Sequence, residues 1–64
     1  MENVIRTVSS KKGPINATNR SNLIISKMNE KGFRAIEFQR FSEVTTKSGE
    51  EIKQYYVSIL FEKP

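Results

Sequence analysis

The 64-residue chain contains no cysteine, no histidine and no tryptophan, and its seven acidic residues are all glutamate. Each absence removes a class of protein. Without cysteine no disulfide staples the fold, and without cysteine, histidine or aspartate the usual ligands of a transition-metal site are missing. The same gaps take away the general base that works near neutral pH, the thiol nucleophile and the familiar catalytic triads. The three glycines, Gly13, Gly32 and Gly49, stand apart and form no phosphate-cradling loop. No long apolar run marks a signal peptide or a membrane span, and the first residues, Met1-Glu2-Asn3-Val4-Ile5-Arg6, are mixed. A cytoplasmic, non-enzymatic protein without a cofactor and without a membrane partner is therefore expected.

What is present is a basic first half. Residues 1–34 hold seven Lys or Arg against two Glu, a net +5, whereas residues 35–64 hold four against five, a net −1. A positive field confined to one half suits contact with an acidic partner.

The pattern of residues predicts a single domain over residues 1–64 with the order β-α-β-β, an α+β fold of one helix packed on a three-stranded sheet. A β-branched strand is expected over about residues 3–8, a basic loop over 9–17 and a helix over about 18–31. The helix starts either at Pro14, as a first-turn proline, or at a cap on Thr18 or Asn19, and it stops at Gly32. Ala17, Ser21, Ile24, Ile25 and Met28 recur at helical spacing and form its core stripe, with Leu23 off the stripe. Strands over about 33–46 and 51–62 then form an antiparallel hairpin. Ser48-Gly49 as the two turn residues sets Lys47 opposite Glu50 and determines every other pair. One face then carries Ile36 with Phe61, Phe38 with Ile59, Arg40 with Val57 and Ser42 with Tyr55, and this face is expected to meet the helix. The other carries Glu37 with Leu60, Gln39 with Ser58, Phe41 with Tyr56, Glu43 with Gln54 and Thr45 with Ile52. A slip of one residue would separate the apolar sets, so turn chemistry and parity agree on this register. The first strand is expected parallel beside the third strand, or beside the second; both placements remain open.

The last strand is apolar on both faces, and one helix covers only one of them. Phe41, Ile52, Tyr56 and Leu60 on the second face form a candidate interface, because burying each such side chain stabilises by about 1.5 to 3 kcal/mol. A domain this small has a thin core, so association is a natural source of stability, and a homodimer or other homo-oligomer and a further protein partner are both expected. Lys11, Lys12, Arg20, Lys27 and Lys31 are the alternative site, a basic stripe next to a lysine-rich loop for binding nucleic acid through its phosphates. A small-molecule-binding oligomer, with ligands held between protomers, is a third reading. Glu37 and Glu43 share a face but are expected to be solvated charges rather than a catalytic pair. Small size, basic charge and no catalytic inventory are what accessory and inhibitor proteins of phages and mobile elements have in common, and binding that modulates or inhibits a larger macromolecule is the favoured expectation.

From the helix onward, Asn29-Glu30-Lys31-Gly32-Phe33 closes the helix and Phe61-Glu62-Lys63-Pro64 ends the last strand. In these places the chain resembles a family of small uncharacterised bacterial and phage β-α-β-β domains. Their helix ends in an Asn-Glu and Gly-Trp-Glu signature, and their last strand ends in an aromatic followed by basic residues and proline. Phe33-Arg34 stands here where the family has Trp-Glu, and Glu62 interrupts the basic ending. The resemblance implies the topology and carries no activity. The element order is also similar to that of dodecin-type flavin-binding proteins, but the tryptophan on which their flavin stacks is absent, so flavin is not expected.

Overall fold

The computed structural model describes residues 1–64. Strand β1 (Glu2–Ser10) leads through helix α1 (Pro14–Glu30) to β2 (Arg34–Lys47) and β3 (Glu50–Lys63). The sheet has the order β1-β3-β2 and is antiparallel throughout. The expected parallel placement of β1 beside β3 is therefore corrected. α1 carries the chain back so that β2 runs in the direction of β1, and the tight hairpin then makes β3 antiparallel to both.

Both ends of the helix follow from local chemistry. Pro14 occupies the first turn, where its missing N–H removes one of the donors that would lack a partner anyway. Gly13 precedes it at φ 129°, and its carbonyl accepts the Ala17 N–H at 3.1 Å. The helix thus begins four residues before Thr18, and the basic loop shrinks from the expected 9–17 to Lys11-Lys12-Gly13. At the other end Gly32 takes φ 89°, Gly32 N–H donates to the Asn29 carbonyl, and Phe33 N–H donates to the Met28 carbonyl, both at 3.0 Å. This is a Schellman closure, and the side chains that bracket it, Met28 and Phe33, are both buried in the core.

The hairpin keeps the expected register from Lys47↔Glu50 to Glu37↔Leu60. Ser48 and Gly49 both take positive φ, 53° and 78°, as a two-residue hairpin turn whose twist matches its strands requires. The register then shifts at a bulge between Ala35 and Glu37, so that Ala35 rather than Ile36 lies opposite Phe61. The extra residue leaves Ile36 without a pairing position, and Ile36 is half exposed.

The core consists of Ala17, Met28, Phe33, Val57, Ile59 and Phe61, with Val4, Val8, Ile24, Ile25, Ala35 and Tyr55 packed around it. The predicted helix stripe is the face that meets the sheet, Leu23 points to solvent, and the small residues Ala17 and Ser21 are buried on the inner face. Phe38 is a further correction. It pairs with Ile59 as expected but is 51% exposed, because α1 lies mainly over β1 and β3 and stops short of β2. The gap is crossed by Arg40, whose Nη1 donates to Thr18 Oγ1 at 2.8 Å.

The molecule is long and open. Its radius of gyration is 13.8 Å, against about 11 Å for a compact chain of this length. Its accessible surface is 4805 Å², against about 4200 Å² for a compact monomer of this mass. The cause is the hairpin. β1 ends at Ser10↔Tyr55, while β2 and β3 continue from Glu43↔Gln54 to Lys47↔Glu50 as a two-stranded arm. No helix is long and apolar enough to cross a membrane.

Candidate interaction surfaces

The face of the sheet turned away from α1 is a ladder of alternating rows, because residues two apart along each strand share a face. Ile5, Leu60 and Glu37 form one row, Thr7, Ser58 and Gln39 the next, and Ser9, Tyr56 and Phe41 the third. The arm continues with Gln54 and Glu43, then Ile52 and Thr45. All four residues expected at an interface, Phe41, Ile52, Tyr56 and Leu60, lie on this face, in three apolar rows separated by polar ones. Phe41 and Tyr56 stack, with ring centroids 4.9 Å apart and planes within 10°. Thr7 and Ser58 hydroxyls meet at 3.2 Å between the aromatic row and Leu60.

Ile5, 64% exposed beside Leu60, belongs to the same surface and escaped the sequence reading. Only the position of β1 in the sheet brings it there, and no local signal fixes that position. Glu37 and Glu43 occupy rows six residues apart, about 20 Å along the strand, so they form no carboxylate pair.

A second surface lies at the corner where β1 ends and the arm begins. Ser9, Ser10, Lys11, Lys12, Asn16, Arg20 and Gln54 line a polar groove of about 430 Å³. Buried Ser10 organises it: its hydroxyl donates to Asn16 Oδ1 at 2.6 Å and accepts the Lys12 N–H at 3.0 Å, tying the loop to the first turn of α1. That helix end has no acidic residue in its first turn, so its dipole adds to the positive field of the three cations. Lys11, Lys12 and Arg20 of the predicted basic set thus converge. Lys27 and Lys31 do not join them, since they lie about 10 Å and about 16 Å further along the helix axis from Arg20.

A third feature is an open groove of about 220 Å³ between the start of α1 and β2, lined by Pro14, Ala17, Arg40, Tyr55 and Val57 among others. It is the space that the helix leaves uncovered and that the Arg40 side chain crosses.

Comparison with protein-family models, with curated proteins and with solved structures finds no significant match to this chain.

Proposed function

We propose that this chain is a small non-enzymatic interaction protein that works as a homodimer and docks its open sheet face on a larger macromolecule, modulating or inhibiting it. The observation that carries this reading is the stacked pair of half-exposed Phe41 and partly buried Tyr56, flanked on the same face by exposed Ile5 and partly buried Leu60 and Ile52. A rigid, stacked pair offers large contact area with little side-chain entropy left to lose, which is the composition of binding hot spots. The surplus of about 600 Å² over a compact monomer approaches the roughly 800 Å² that each partner buries in a standard interface.

The test compares the wild-type chain with Tyr56→Glu in capture from lysate, followed by titration with the purified partner. The substitution sits on the solvent side of the sheet, so circular dichroism is expected to show an intact fold. Affinity for the partner is expected to fall at least about 30-fold, the loss of a hot spot of about 2 kcal/mol. Undiminished affinity removes the open face as the docking surface.

The convergence of Lys11, Lys12 and Arg20 on one groove supports a second reading, a regulator that grips nucleic-acid phosphates with the groove. Ser9 of the groove pairs with Tyr56, so the cations lie beside the aromatic row. Charge reversal at Lys11, Lys12 and Arg20 is then expected to abolish low-salt binding of single-stranded or duplex oligonucleotides, whereas reversal at Lys27 and Lys31 leaves most of it. Equal losses from both sets, or no binding by the wild type, removes this reading.

A further inference from the structure

We propose that two copies of the chain pair through their β2 edges, antiparallel and centred on Phe41, to form a continuous six-stranded sheet with both helices on one side. This rests on the homodimer reading above and specifies its contact.

β2 is the less protected edge. Edge strands are usually short, bulged, interrupted by proline or covered. β2 runs fourteen residues, its one bulge lies at its start, and from Glu37 to Thr46 it has neither proline nor glycine; its three charges there, Glu37, Arg40 and Glu43, are the only edge protection it carries. Every residue from Ile36 to Lys47 is exposed. Half of the exposed large hydrophobic side chains of the molecule, Ile36, Phe38, Phe41 and Val44, belong to this strand. The opposite edge, β1, is shorter and lies under the helix.

The strand also determines how it meets its copy. Side chains on the two faces stay matched only if a residue pairs with one of its own parity, which places the two-fold axis on a residue pair. Four axes pair eleven or more of the fourteen residues. Centred on Gln39, the pairing sets Phe41 against Glu37, polar against apolar. Centred on Arg40, the pairing sets Arg40 against Arg40 and Glu37 against Glu43, like charges directly opposed. Centred on Ser42, it sets Phe41 against Glu43 and Arg40 against Val44, polar against apolar. Centred on Phe41, it sets Phe41 against Phe41 on the open face and Phe38 against Val44 on the helix side, with Arg40 on Ser42, Gln39 on Glu43 and Glu37 on Thr45. No like charges then face each other directly, and half-exposed Phe38 and Val44 on the helix side each gain an apolar neighbour.

Two structural deficits close together in this register. The arm from Glu43 to Gln54 is a two-stranded ribbon, marginal by itself; the first half of the second copy's β2 lies alongside it as a third strand. The stacked pair on the open face becomes a row of four aromatics, Tyr56 and Phe41 of one copy followed by Phe41 and Tyr56 of the other.

The chain has no cysteine of its own, so engineered thiols report the register directly. Under mild oxidation, Phe41→Cys is expected to form a disulfide-linked dimer by itself. Phe38→Cys and Val44→Cys are expected to link when the two variants are mixed and neither alone, since positions 38 and 44 face each other across the axis. Ile5→Cys, distant from the axis, is expected to stay unlinked. Val44→Lys, on the exposed arm where it does not enter the core, is expected to keep the circular dichroism spectrum and weaken the dimer by up to about 30-fold in sedimentation, because symmetry removes the Phe38–Val44 contact twice. A dimer unaffected by Val44→Lys, or one linked by Ile5→Cys and not by Phe41→Cys, overturns edge pairing while leaving a homodimer. A wild-type chain that is monomeric at 100 times its working concentration overturns edge pairing and the homodimer together, and the dependence of partner affinity on Tyr56 stands or falls separately.

Discussion

Replacement of Phe61 by alanine is expected to remove about 3 to 5 kcal/mol of stability, a third or more of what the chain has. Phe61 is fully buried at the centre of the sheet, with Val4 opposite it on one neighbouring strand and Ala35 on the other. Phe→Ala in a core costs about 3 to 5 kcal/mol, because the lost transfer energy adds to that of a cavity the surroundings cannot fill. A chain of this length has a total stability of about 3 to 10 kcal/mol. The core that would have to collapse into the cavity contains only five other buried hydrophobic residues, so no second layer exists to compensate. Urea denaturation followed by circular dichroism checks this. The matched control is Leu23→Ala, which removes a leucine 65% exposed on the outer side of α1 and is expected to change stability by no more than about 0.5 kcal/mol. A Phe61→Ala chain that loses no more stability than Leu23→Ala would show that the core lies elsewhere than between α1 and β3.

The difference between these two residues is written in periodicity, and so is most of the fold. Leu23 lies off the helical stripe, Phe61 lies on the inward face of the last strand, and each is where its spacing places it. The hairpin was legible because two independent constraints coincide: the Ser48-Gly49 turn requires positive φ, and the parity of the strands separates Val57, Ile59 and Phe61 from Tyr56 and Leu60. What escaped had no local signature. The bulge at Ala35 inserts a residue of ordinary type, and nothing in Ala35-Ile36 marks it. The exposure of Phe38 depends on which strands lie beneath the helix, and that depends on β1 choosing β3 as its neighbour, a non-local event. Ile5 was lost for the same reason.

The candidate surfaces divide along the same line. Phe41, Ile52, Tyr56 and Leu60 share one face because parity alone puts them there, but their separation into rows divided by polar ones emerges only when all three strands are assembled. In the basic set, helical spacing relates Arg20 to Lys27 and Lys31, yet the structure joins Arg20 to Lys11 and Lys12 instead. Starting the helix at Pro14 shortens the loop to three residues, and the Ser10–Asn16 hydrogen bond then holds that loop against the first turn. A short-range side-chain contact thus outweighs the longer regularity of the helix.

The thermal midpoint of the protein is expected to rise by about 10 °C when its concentration is raised a hundredfold. A monomer that unfolds in two states has a midpoint independent of concentration, whereas a dimer that dissociates on unfolding gains stability by mass action, about 2.7 kcal/mol per hundredfold. Unfolding two chains of 64 residues releases about 0.27 kcal/mol per kelvin of entropy near the midpoint, and the ratio of these quantities gives the shift. The sign and size follow from how little this chain buries alone: eight residues of 64, a core of six hydrophobic side chains and an arm with no third strand. Differential scanning calorimetry over a concentration series measures the shift, and Val44→Lys separates its source. If the β2 edges carry the association, the variant's midpoints lie below those of the wild type at every concentration of the series. If the wild-type midpoint itself does not move, the chain is stable without a copy of itself, and the open face with its stacked Phe41 and Tyr56 is then left to a partner of another kind.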